Sequence, residues 1–338
     1  MSEHVGEKEK AARRPPPQPG GPLTPRPSFD DASTATPGGE PDARHPAIQR
    51  DPTRFAPRLA RRHAFGTVFA VACVLATLVG IFVLFALLVD IFTDGAGRLS
   101  RQFLTGMPSR FPGRAGIAPA LVGSAWTLAL TALVAFPLGV GTAIWLEEYA
   151  RQSSFKRLIE TNIANLAGVP SIVYGILGLA LFVRAFALGR SILAASFTLA
   201  LLILPVIIIA SQEAIKAVPG SIRLGAYALG ATKWETIRHH VFPMALPGIL
   251  TGTILALSRA VGEAAPVILV GALAFIAYVP NDPMDQFTVI PFQIFSWVTR
   301  PQAGFHEAAA AASIVLLVLL LTMNAAAIWL RNRYTRRY

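Results

Sequence analysis

Residues 218–247 read VPGSIRLGAYALGATKWETIRHHVFPMALP and separate two long apolar runs of the chain. Pro219 presets the φ angle of a helix, so a short helix is expected to begin there. Gly230 is suited to the left-handed conformation in which many helices end. The first half of this segment therefore predicts one short helix that ends near Gly230.

The second half of the segment begins with a helix-start signal. Thr232 can cap a helix whose third residue, Glu235, reaches back to complete a capping box. Pro243 and Pro247 are expected to end this second helix and to mark the start of the next apolar run. The whole segment thus predicts two short helices joined at a glycine elbow.

The composition is that of an integral membrane protein. Of 338 residues, 53% are hydrophobic and 14% are charged, whereas a typical soluble domain has roughly 25% charged residues. The mean hydropathy is +0.52. Six apolar runs are long enough to cross a hydrocarbon core of about 30 Å, which needs about 20 helical residues. We therefore expect an all-α membrane protein with about six transmembrane helices, at about 64–89, 118–146, 161–183, 191–210, 246–276 and 308–330.

Basic residues beside the first and last apolar runs predict the orientation of the chain. Six spans place both termini on one side, and the positive-inside rule makes that side the cytoplasm. The segment with the glycine elbow, at about 211–243, is then cytoplasmic. These arginines also explain much of the net charge of +11 without nucleic acid as a partner. They are Arg50, Arg54, Arg58, Arg61 and Arg62 in front of the first run, and Arg331, Arg333, Arg336 and Arg337 at the end of the chain.

The loop at 93–117 does not follow the charge rule. It is expected on the outside, yet its charged residues are Arg98, Arg101, Arg110 and Arg114 against Asp94 alone. The two termini and the parity of the spans outweigh this loop. Basic residues on the external side could face an anion.

Catalytic and metal-binding patterns are absent from the sequence. The single cysteine, Cys73, excludes a disulfide framework and a multi-cysteine metal site. The histidines lie in tails, loops or interfacial positions, and no nucleophile–base arrangement stands out. Because no GxxxxGK[ST] loop is present, ATP hydrolysis is not expected in this chain. We expect a non-catalytic protein without a cofactor or metal, and no cleavable signal peptide, since the first 60 residues are polar.

Arg259 and Glu263 lie within the predicted span 246–276, in the stretch SRAVGEAAP. Residues four apart are neighbours on one helical face. A charged residue near the bilayer centre costs about 2.5 to 3.5 kcal/mol on insertion scales, so these two should face protein or a water-filled path. Mutual pairing would explain them structurally, whereas a substrate passage would explain them functionally. An arginine fork suits an oxyanion, and a neighbouring carboxylate favours phosphate, which keeps a proton near neutral pH, over sulfate.

The elbow segment resembles the cytoplasmic coupling loop of type I ABC importer permeases, in which Glu-Ala-Ala is followed after three residues by glycine. The corresponding core here is Leu224, Gly225 and Ala226, followed by Gly230. This resemblance implies contact with an ATPase through Leu224, Gly225, Ala226, Gly230, Ala231, Thr232 and Lys233. The family glutamate is replaced by Leu224, so its contact must be absent or made differently.

Further motifs narrow the resemblance to phosphate-specific ABC permeases of the PstA type. The stretch with Arg259 and Glu263 resembles their RAxGExxP setting, and VPSIVYG at 169–175 resembles their third-span motif. GTAIWLEEYA at 141–150 resembles the turn after their second span, and the end of the chain resembles their sixth span. The resemblance covers about 118–337.

This resemblance implies the transmembrane subunit of an ATP-driven phosphate importer in the bacterial cytoplasmic membrane. The partners implied are a PstC-like second permease subunit, a PstB-like cytoplasmic ATPase dimer and a PstS-like extracytoplasmic phosphate-binding protein. Arg259 and Glu263 would lie in an alternating-access pathway. The expected organisation is a disordered Pro-rich cytoplasmic tail (1–57), a first transmembrane helix with an external loop (58–117), an ABC type-1 transmembrane domain (118–332) and a basic tail (333–338).

Three other interpretations stay open at this point. A permease for another oxyanion, such as sulfate, molybdate or phosphonate, would have the same architecture. A membrane scaffold or phosphate-sensing partner could keep the fold without transport, although the intact RAVGE stretch argues against it. An intramembrane enzyme is the least favoured, since no HExxH, paired aspartates or serine–lysine arrangement is convincing within the spans.

Overall fold

A computed structural model of the protein describes residues 59–335. The predicted tail 1–57 and the last three residues of the basic tail lie outside the described residues. Within the described range the chain is helical and has no strand, so the all-α prediction is confirmed. The chain divides into two units, residues 1–70 and 71–338, and every described element that begins after residue 95 belongs to the second.

Twelve helices follow one another along the described chain. They are α1 Leu59–Gly95, α2 Arg101–Thr105, α3 Ala118–Ile144, α4 Ser154–Ala167, α5 Ser171–Gly178, α6 Ile192–Lys216, α7 Gly220–Ala228, α8 Lys233–Thr236, α9 Phe242–Val261, α10 Ala265–Val270, α11 Ile290–Val298 and α12 Ala303–Thr335. Wider π turns extend α3 at Trp145–Tyr149, extend α5 at Leu179–Ala185 and join α8 to α9 at Ile237–Val241. Single 3-10 turns lie at Ala96–Arg98 and Pro112–Arg114.

Five of these helical stretches are long and apolar enough to cross a membrane. They contain α1, α3, α6, α8 with α9, and α12, and each of them overlaps one of the six predicted spans. The apolar side chains of α1 beyond residue 70 are exposed, Phe82 at 71% for example, as expected of a helix that faces lipid. Cys73 is a free, exposed thiol on the same helix.

The predicted span at 161–183 is divided into two helical parts. Helix α4 and the stretch from α5 through its π turn meet at an angle of 101°, with the break at 168–170. Pro170 lies there in extended backbone, where it cannot continue a helix. Helix α4 also carries Lys156, Arg157 and Glu160, so only the apolar part from α5 onward has the composition of a membrane segment.

The predicted span at 246–276 is wrong at both ends. Helix α9 begins at Phe242 and runs through Pro243 and Pro247, which were expected to stop the helix before it. The π turn directly in front of Pro243 changes which carbonyl each N–H reaches, so a residue without an N–H is accommodated there. At its other end α9 stops at Val261.

Beyond α9 the chain forms a short helix and a loop in place of a span. Helix α10 ends at Gly271, whose φ of +118° lies in a region that side chains disfavour. The loop predicted at 277–303 contains α11, whose nine residues are too few to cross a bilayer. Trp297 of α11 is almost fully buried and forms a small core with Phe305 of α12.

The centre of the bundle is α6, which packs against α3 and α9 through small residues. A Cβ on Gly139 of α3 would lie 2.6 Å from the side chain of Ile207 in α6. On the other side, a Cβ on Gly248 would lie 2.8 Å from that of Ala214. Helices in membranes use such small residues to approach closely. The α6–α9 packing fixes the depth of Arg259, which lies further along α9.

Candidate functional site

Arg259 and Glu263 lie where α9 ends. The Arg259 Nε and the Glu263 Oε1 are 3.5 Å apart, so the two residues are neighbours as their spacing predicted. Glu263 itself is just beyond the last helical residue, Val261, and its N–H bonds the carbonyl of Ala260. The Arg259 side chain is 57% exposed and the Glu263 side chain is 19% exposed. Glu263 contacts only the Nε of Arg259, so the pair leaves the two terminal nitrogens of the guanidinium for other acceptors.

The depth of Arg259 follows from the antiparallel packing of α6 and α9. Gly252 lies against Ala210, which is 18 residues into α6, or about 27 Å from its start at 1.5 Å per residue. Arg259 is seven residues beyond Gly252, or about 10 Å further in the opposite direction. It is therefore level with the middle of α6, whose 25 residues span about 37 Å. The charged pair lies near the centre of the membrane-spanning bundle.

A small cavity of about 20 Å³ adjoins Glu263, which is large enough for one water molecule. Two hydroxyl groups of α3 contribute to its wall. Thr127 Oγ1 donates to the carbonyl of Gly123, and Ser124 Oγ accepts a bond from the Ile290 N–H. The lining is Ser124, Thr127, Leu128, Leu199, Ala260, Val261, Glu263, Val267 and Val289. Glu263 therefore borders a site that can hold water among apolar and hydroxyl-bearing residues.

Glu263 lies in the break between α9 and α10, and the short helices α5 and α10 pack against each other beside it. Gly175 of α5 lies against Pro266 at the start of α10, where a Cβ would come within 2.7 Å of the Pro266 Cα. The VPSIVYG stretch therefore contains a glycine that this contact requires. The sequence alone did not indicate that Gly175 and Pro266 meet.

The elbow segment folds largely as its sequence predicts. Helix α7 is followed by Gly230 with a φ of +85°, and α8 starts after Thr232. The Thr232 Oγ1 accepts a bond from the Glu235 N–H, and the Thr232 N–H donates to the Glu235 carboxylate at 2.8 Å, so the capping box is complete. Because α8 continues through its π turn into α9, the elbow is connected to the helix that carries Arg259.

The predicted coupling residues are not all on the surface. Leu224 is 70% exposed, and Gly225 lies in open space, since a Cβ added there would meet no atom within 4 Å. Ala226 is buried, Ala231 is half-buried, and Lys233 lies 5.0 Å above the ring of Tyr149. The outer surface of the elbow is mixed. Its exposed large apolar side chains are Leu224, Tyr227, Leu229 and Trp234, and its exposed large polar side chains are Lys233, Glu235, Arg238, His239 and His240.

Sequence reasoning missed a cluster of charged residues beneath α7. Arg223 of α7 contacts Glu148, which belongs to the π turn at the end of α3, at 2.7 Å. The preceding residue, Glu147, accepts a bond of 2.7 Å from Gln212 of α6 and lies 4.0 Å from the buried Lys156 of α4. The signal available in the sequence was the pair of glutamates at the end of a predicted span, in a protein otherwise poor in charge.

The basic loop at 93–117 is partly explained by its own packing. Arg98 donates from Nη2 to the carbonyl of Pro112, and Arg110 lies 5.0 Å above the ring of Phe111. The Arg98 bond joins residues 14 apart in the loop, whereas the Arg110 contact is between adjacent residues. Two of the four arginines of the loop therefore have a contact within it.

Comparison with known proteins agrees with the fold. Residues 135–338 match the family described as "Binding-protein-dependent transport system inner membrane component". A chain from the crystal structure of a bacterial alginate ABC transporter, in complex with an alginate pentasaccharide-bound periplasmic protein, has a TM-score of 0.57 at 14% identity. The match covers 81% of the present chain and 96% of the solved one. At that identity the likeness shows the fold alone.

The curated relatives include proteins named phosphate transport system permease protein PstA, among them one from Mycobacterium leprae and one from Pasteurella multocida. The one from Mycobacterium leprae is 39% identical over 202 residues, which are 59% of this chain and 64% of the relative. The one from Pasteurella multocida is 31% identical over 238 residues, 70% of this chain and 83% of the relative. The chain thus spans somewhat less than two thirds of the first of these relatives. From the family match and the extent of the second alignment, the chain belongs to the binding-protein-dependent transport system inner membrane components and is a PstA-type member of that family.

Proposed function

We propose that this chain is the transmembrane permease subunit of an ATP-driven importer that moves inorganic phosphate across the bacterial cytoplasmic membrane. The observation that carries the proposal is the Arg259–Glu263 pair at the middle of the bundle. A charged pair at that depth is costly unless it faces protein or water, and such residues commonly belong to a substrate path. The names of the PstA relatives support phosphate as the substrate.

The chemistry of the pair suits a protonated oxyanion. The Arg259 side chain has a planar fork of donors, and Glu263 occupies only its Nε, at 3.5 Å. A phosphate that still carries a proton can accept from Arg259 and donate to the Glu263 carboxylate. Sulfate has no such proton at neutral pH and would be repelled by the same carboxylate. The pair therefore favours phosphate over sulfate.

The elbow segment is the proposed contact with a cytoplasmic ATPase. Its outer face exposes Leu224, Leu229 and Trp234, which are 70%, 91% and 56% exposed. Exposed apolar residues gathered on one short segment are typical of a protein–protein contact. With leucine in place of the family glutamate, the contact at residue 224 would be apolar. In an alternating-access cycle, closure of the ATPase pair would move α7 and open the pathway outward.

The remaining partners follow from the proposed cycle. A PstC-like permease would complete the pathway on the exposed side of Arg259, and a PstS-like protein would deliver phosphate from outside. A PstB-like ATPase dimer would bind the elbow, which places both termini of this chain in the cytoplasm. ATP hydrolysis would occur in the ATPase chains and not in this one.

Competition uptake with the complete reconstituted transporter tests the substrate. ATP-dependent uptake of radioactive phosphate should be blocked by unlabelled phosphate and not by equal sulfate, molybdate or phosphonate. Glu263→Gln should narrow the preference for phosphate over sulfate, because the repelling carboxylate is gone. Stronger competition by another oxyanion than by phosphate would reassign the substrate. No ATP-dependent uptake of any oxyanion by the assembled complex would favour the scaffold or sensing interpretation.

Cysteine cross-linking tests the ATPase contact. Single cysteines at Ala228 and Ala231, in a Cys73→Ser background, should cross-link to cysteines on the ATPase. Met284→Cys is the matched control, since Met284 is 52% exposed in a loop expected on the other side of the membrane. If no elbow position cross-links while the complex stays assembled, the ATPase does not bind there.

A further inference from the structure

The π turn Trp145–Tyr149 at the end of α3 is the point at which several cytoplasmic elements meet. It contains two adjacent glutamates whose side chains reach different neighbours. Glu147 faces α4 and α6, where its partners are Lys156, Gln212 and Lys216. Glu148 faces α7, where its partner is Arg223. The turn therefore links three helices of the bundle to the first helix of the elbow.

Arg223 is the most connected side chain in the elbow. Its Nε and Nη2 both donate to Glu148 Oε1, at 3.1 and 2.7 Å. Its Nη2 also donates to the carbonyl of Ile215 at 3.0 Å, and its Nη1 donates to the carbonyl of Val218 at 2.8 Å. We call Arg223, Glu148 and these two carbonyls the Arg223 clamp. The clamp joins α7 to the end of α3 and to the end of α6.

The clamp is costly to break because its two charged side chains are largely removed from water. The Glu148 side chain is 7% exposed and the Arg223 side chain is 22% exposed. Separating a buried carboxylate from its arginine leaves a charge without a partner, which is strongly unfavourable. The link between α6 and α7 is only three residues long, at 217–219. A displacement of α7 should therefore move α3 and α6 with it, because the short link and the clamp leave little room for α7 to move alone.

The second helix of the elbow touches the same turn. Lys233 at the start of α8 lies 5.0 Å above the ring of Tyr149, the last residue of the π turn. This cation–π contact is weaker than the clamp and more exposed. Both halves of the elbow thus meet Trp145–Tyr149, and the stronger connection is through Arg223.

We propose that the Arg223 clamp is the connection through which movement of the elbow is transmitted to α3 and α6, with Arg223 as the positioning residue. The proposal rests on the proposed function, in which a partner ATPase moves α7. Arg223 faces the bundle through Glu148, whereas Leu224 next to it is exposed to the partner. Leu224 would contact the ATPase, and Arg223 beside it would transmit the movement of α7 to the bundle.

The test compares phosphate uptake with ATP hydrolysis in the complete reconstituted transporter. Arg223→Ala and Glu148→Gln should each lower the phosphate imported per ATP by about 10-fold, within the range usual for a coupling free energy. ATP hydrolysis itself should continue. The control is Arg157→Ala, which removes an exposed arginine of α4, outside the elbow. Arg223→Lys keeps the charge but cannot reach the carboxylate and both carbonyls together, so its ratio should be intermediate.

A chemical link separates transmission from folding. In a Cys73→Ser background, the double variant Glu148→Cys, Arg223→Cys should be uncoupled, and a short bis-maleimide that joins the two thiols should restore phosphate import per ATP. An unchanged ratio in Arg223→Ala and Glu148→Gln would overturn the clamp proposal, as would an equal loss in Arg157→Ala. If Arg223→Ala does not assemble, an unchanged ratio in Arg223→Lys overturns the proposal as well. Absence of phosphate uptake by the wild-type complex would instead overturn the proposed function.

Discussion

Arg259 and Arg223 each face a glutamate, but their surroundings differ. Arg259 lies level with the middle of α6, is 57% exposed, and meets Glu263 through one contact of 3.5 Å. Arg223 lies at the cytoplasmic end proposed above, is 22% exposed, and makes four hydrogen bonds to Glu148 and two carbonyls. Arg259 therefore has N–H donors left for a ligand, whereas most of the N–H donors of Arg223 already bond protein acceptors.

This difference separates a ligand-handling role from a mechanical one. An arginine whose donors are already satisfied holds helices together, and its removal leaves a buried carboxylate alone. An arginine that is exposed and singly paired contributes little to stability and can bind a passing oxyanion. In the proposed transport cycle, one arginine–glutamate pair would bind phosphate and the other would transmit movement between helices.

The largest expected effect is on uptake and concerns Arg259. Arg259→Ala should lower phosphate uptake by about 100-fold, as loss of about 3 kcal/mol of charge-assisted hydrogen bonding implies. Arg259→Lys should lose less, because it keeps the charge without the planar fork. Radioactive phosphate uptake by the assembled transporter measures both.

The control for this measurement is Arg151→Ala, which removes an exposed arginine outside the predicted spans. Its uptake should match the wild type. Uptake left intact by both Arg259→Ala and Glu263→Gln would remove the pair from the pathway.

The second effect is on stability. Here substitution of Arg223 should have a larger effect than substitution of Arg259. Arg223→Ala should lower the free energy of unfolding by about 2 kcal/mol, because Glu148 would stay buried without its partner. Arg259→Ala should change it by less than about 1 kcal/mol, as for other exposed pairs. Thermal unfolding of the purified permease, followed by tryptophan fluorescence, compares them. Equal shifts in Tm would mean that the two pairs do not differ as described.

A smaller effect distinguishes two glycines of the elbow. Gly230 has a φ of +85°, so Gly230→Ala should destabilise the elbow by about 1 kcal/mol. Gly225 lies inside α7 in open space, so Gly225→Ala should stabilise that helix by about 0.5 to 1 kcal/mol. Hydrogen exchange of the amides in α7 and α8 should become faster in the first variant and slower in the second. Changes of the same sign would contradict the turn geometry.

The smallest effect concerns the cap of α8. Thr232→Ala should weaken the start of this helix by about 0.5 to 1 kcal/mol, since it removes the acceptor for the Glu235 N–H. Thr232→Ser keeps the acceptor and is the matched control. Hydrogen exchange at residues 233–236 should be faster in the alanine variant alone. Equal exchange in both variants would mean that the capping box contributes nothing to the elbow.

Local signals in the sequence predicted the elbow well. Gly230, Thr232 and Glu235 act within one or two turns of backbone, so their spacing contains the information needed. The apolar runs likewise identified five long helices, because length and composition decide which helices can cross a membrane. Arg259 and Glu263 were found as neighbours for the same reason, since they are four residues apart.

The errors lie where distant residues or unusual turns decide the structure. Pro243 was expected to stop a helix, but a π turn in front of it lets α8 continue into α9. Helix α11 was not predicted because its nine residues, IPFQIFSWV, are too few to give a membrane-span signal. The Glu148–Arg223 contact joins residues 75 apart, a separation at which periodicity gives no information.

Restoring a positive charge chemically at position 259 tests the central claim most directly. In a Cys73→Ser background, Arg259→Cys should lose phosphate uptake in the complete transporter. Because this side chain is exposed, a methanethiosulfonate reagent carrying an amine should react there and recover a large part of the uptake, whereas the matched sulfonate reagent should not. Equal uptake after either reagent, or full uptake by the unmodified cysteine variant, would contradict a role for the Arg259 charge in moving phosphate.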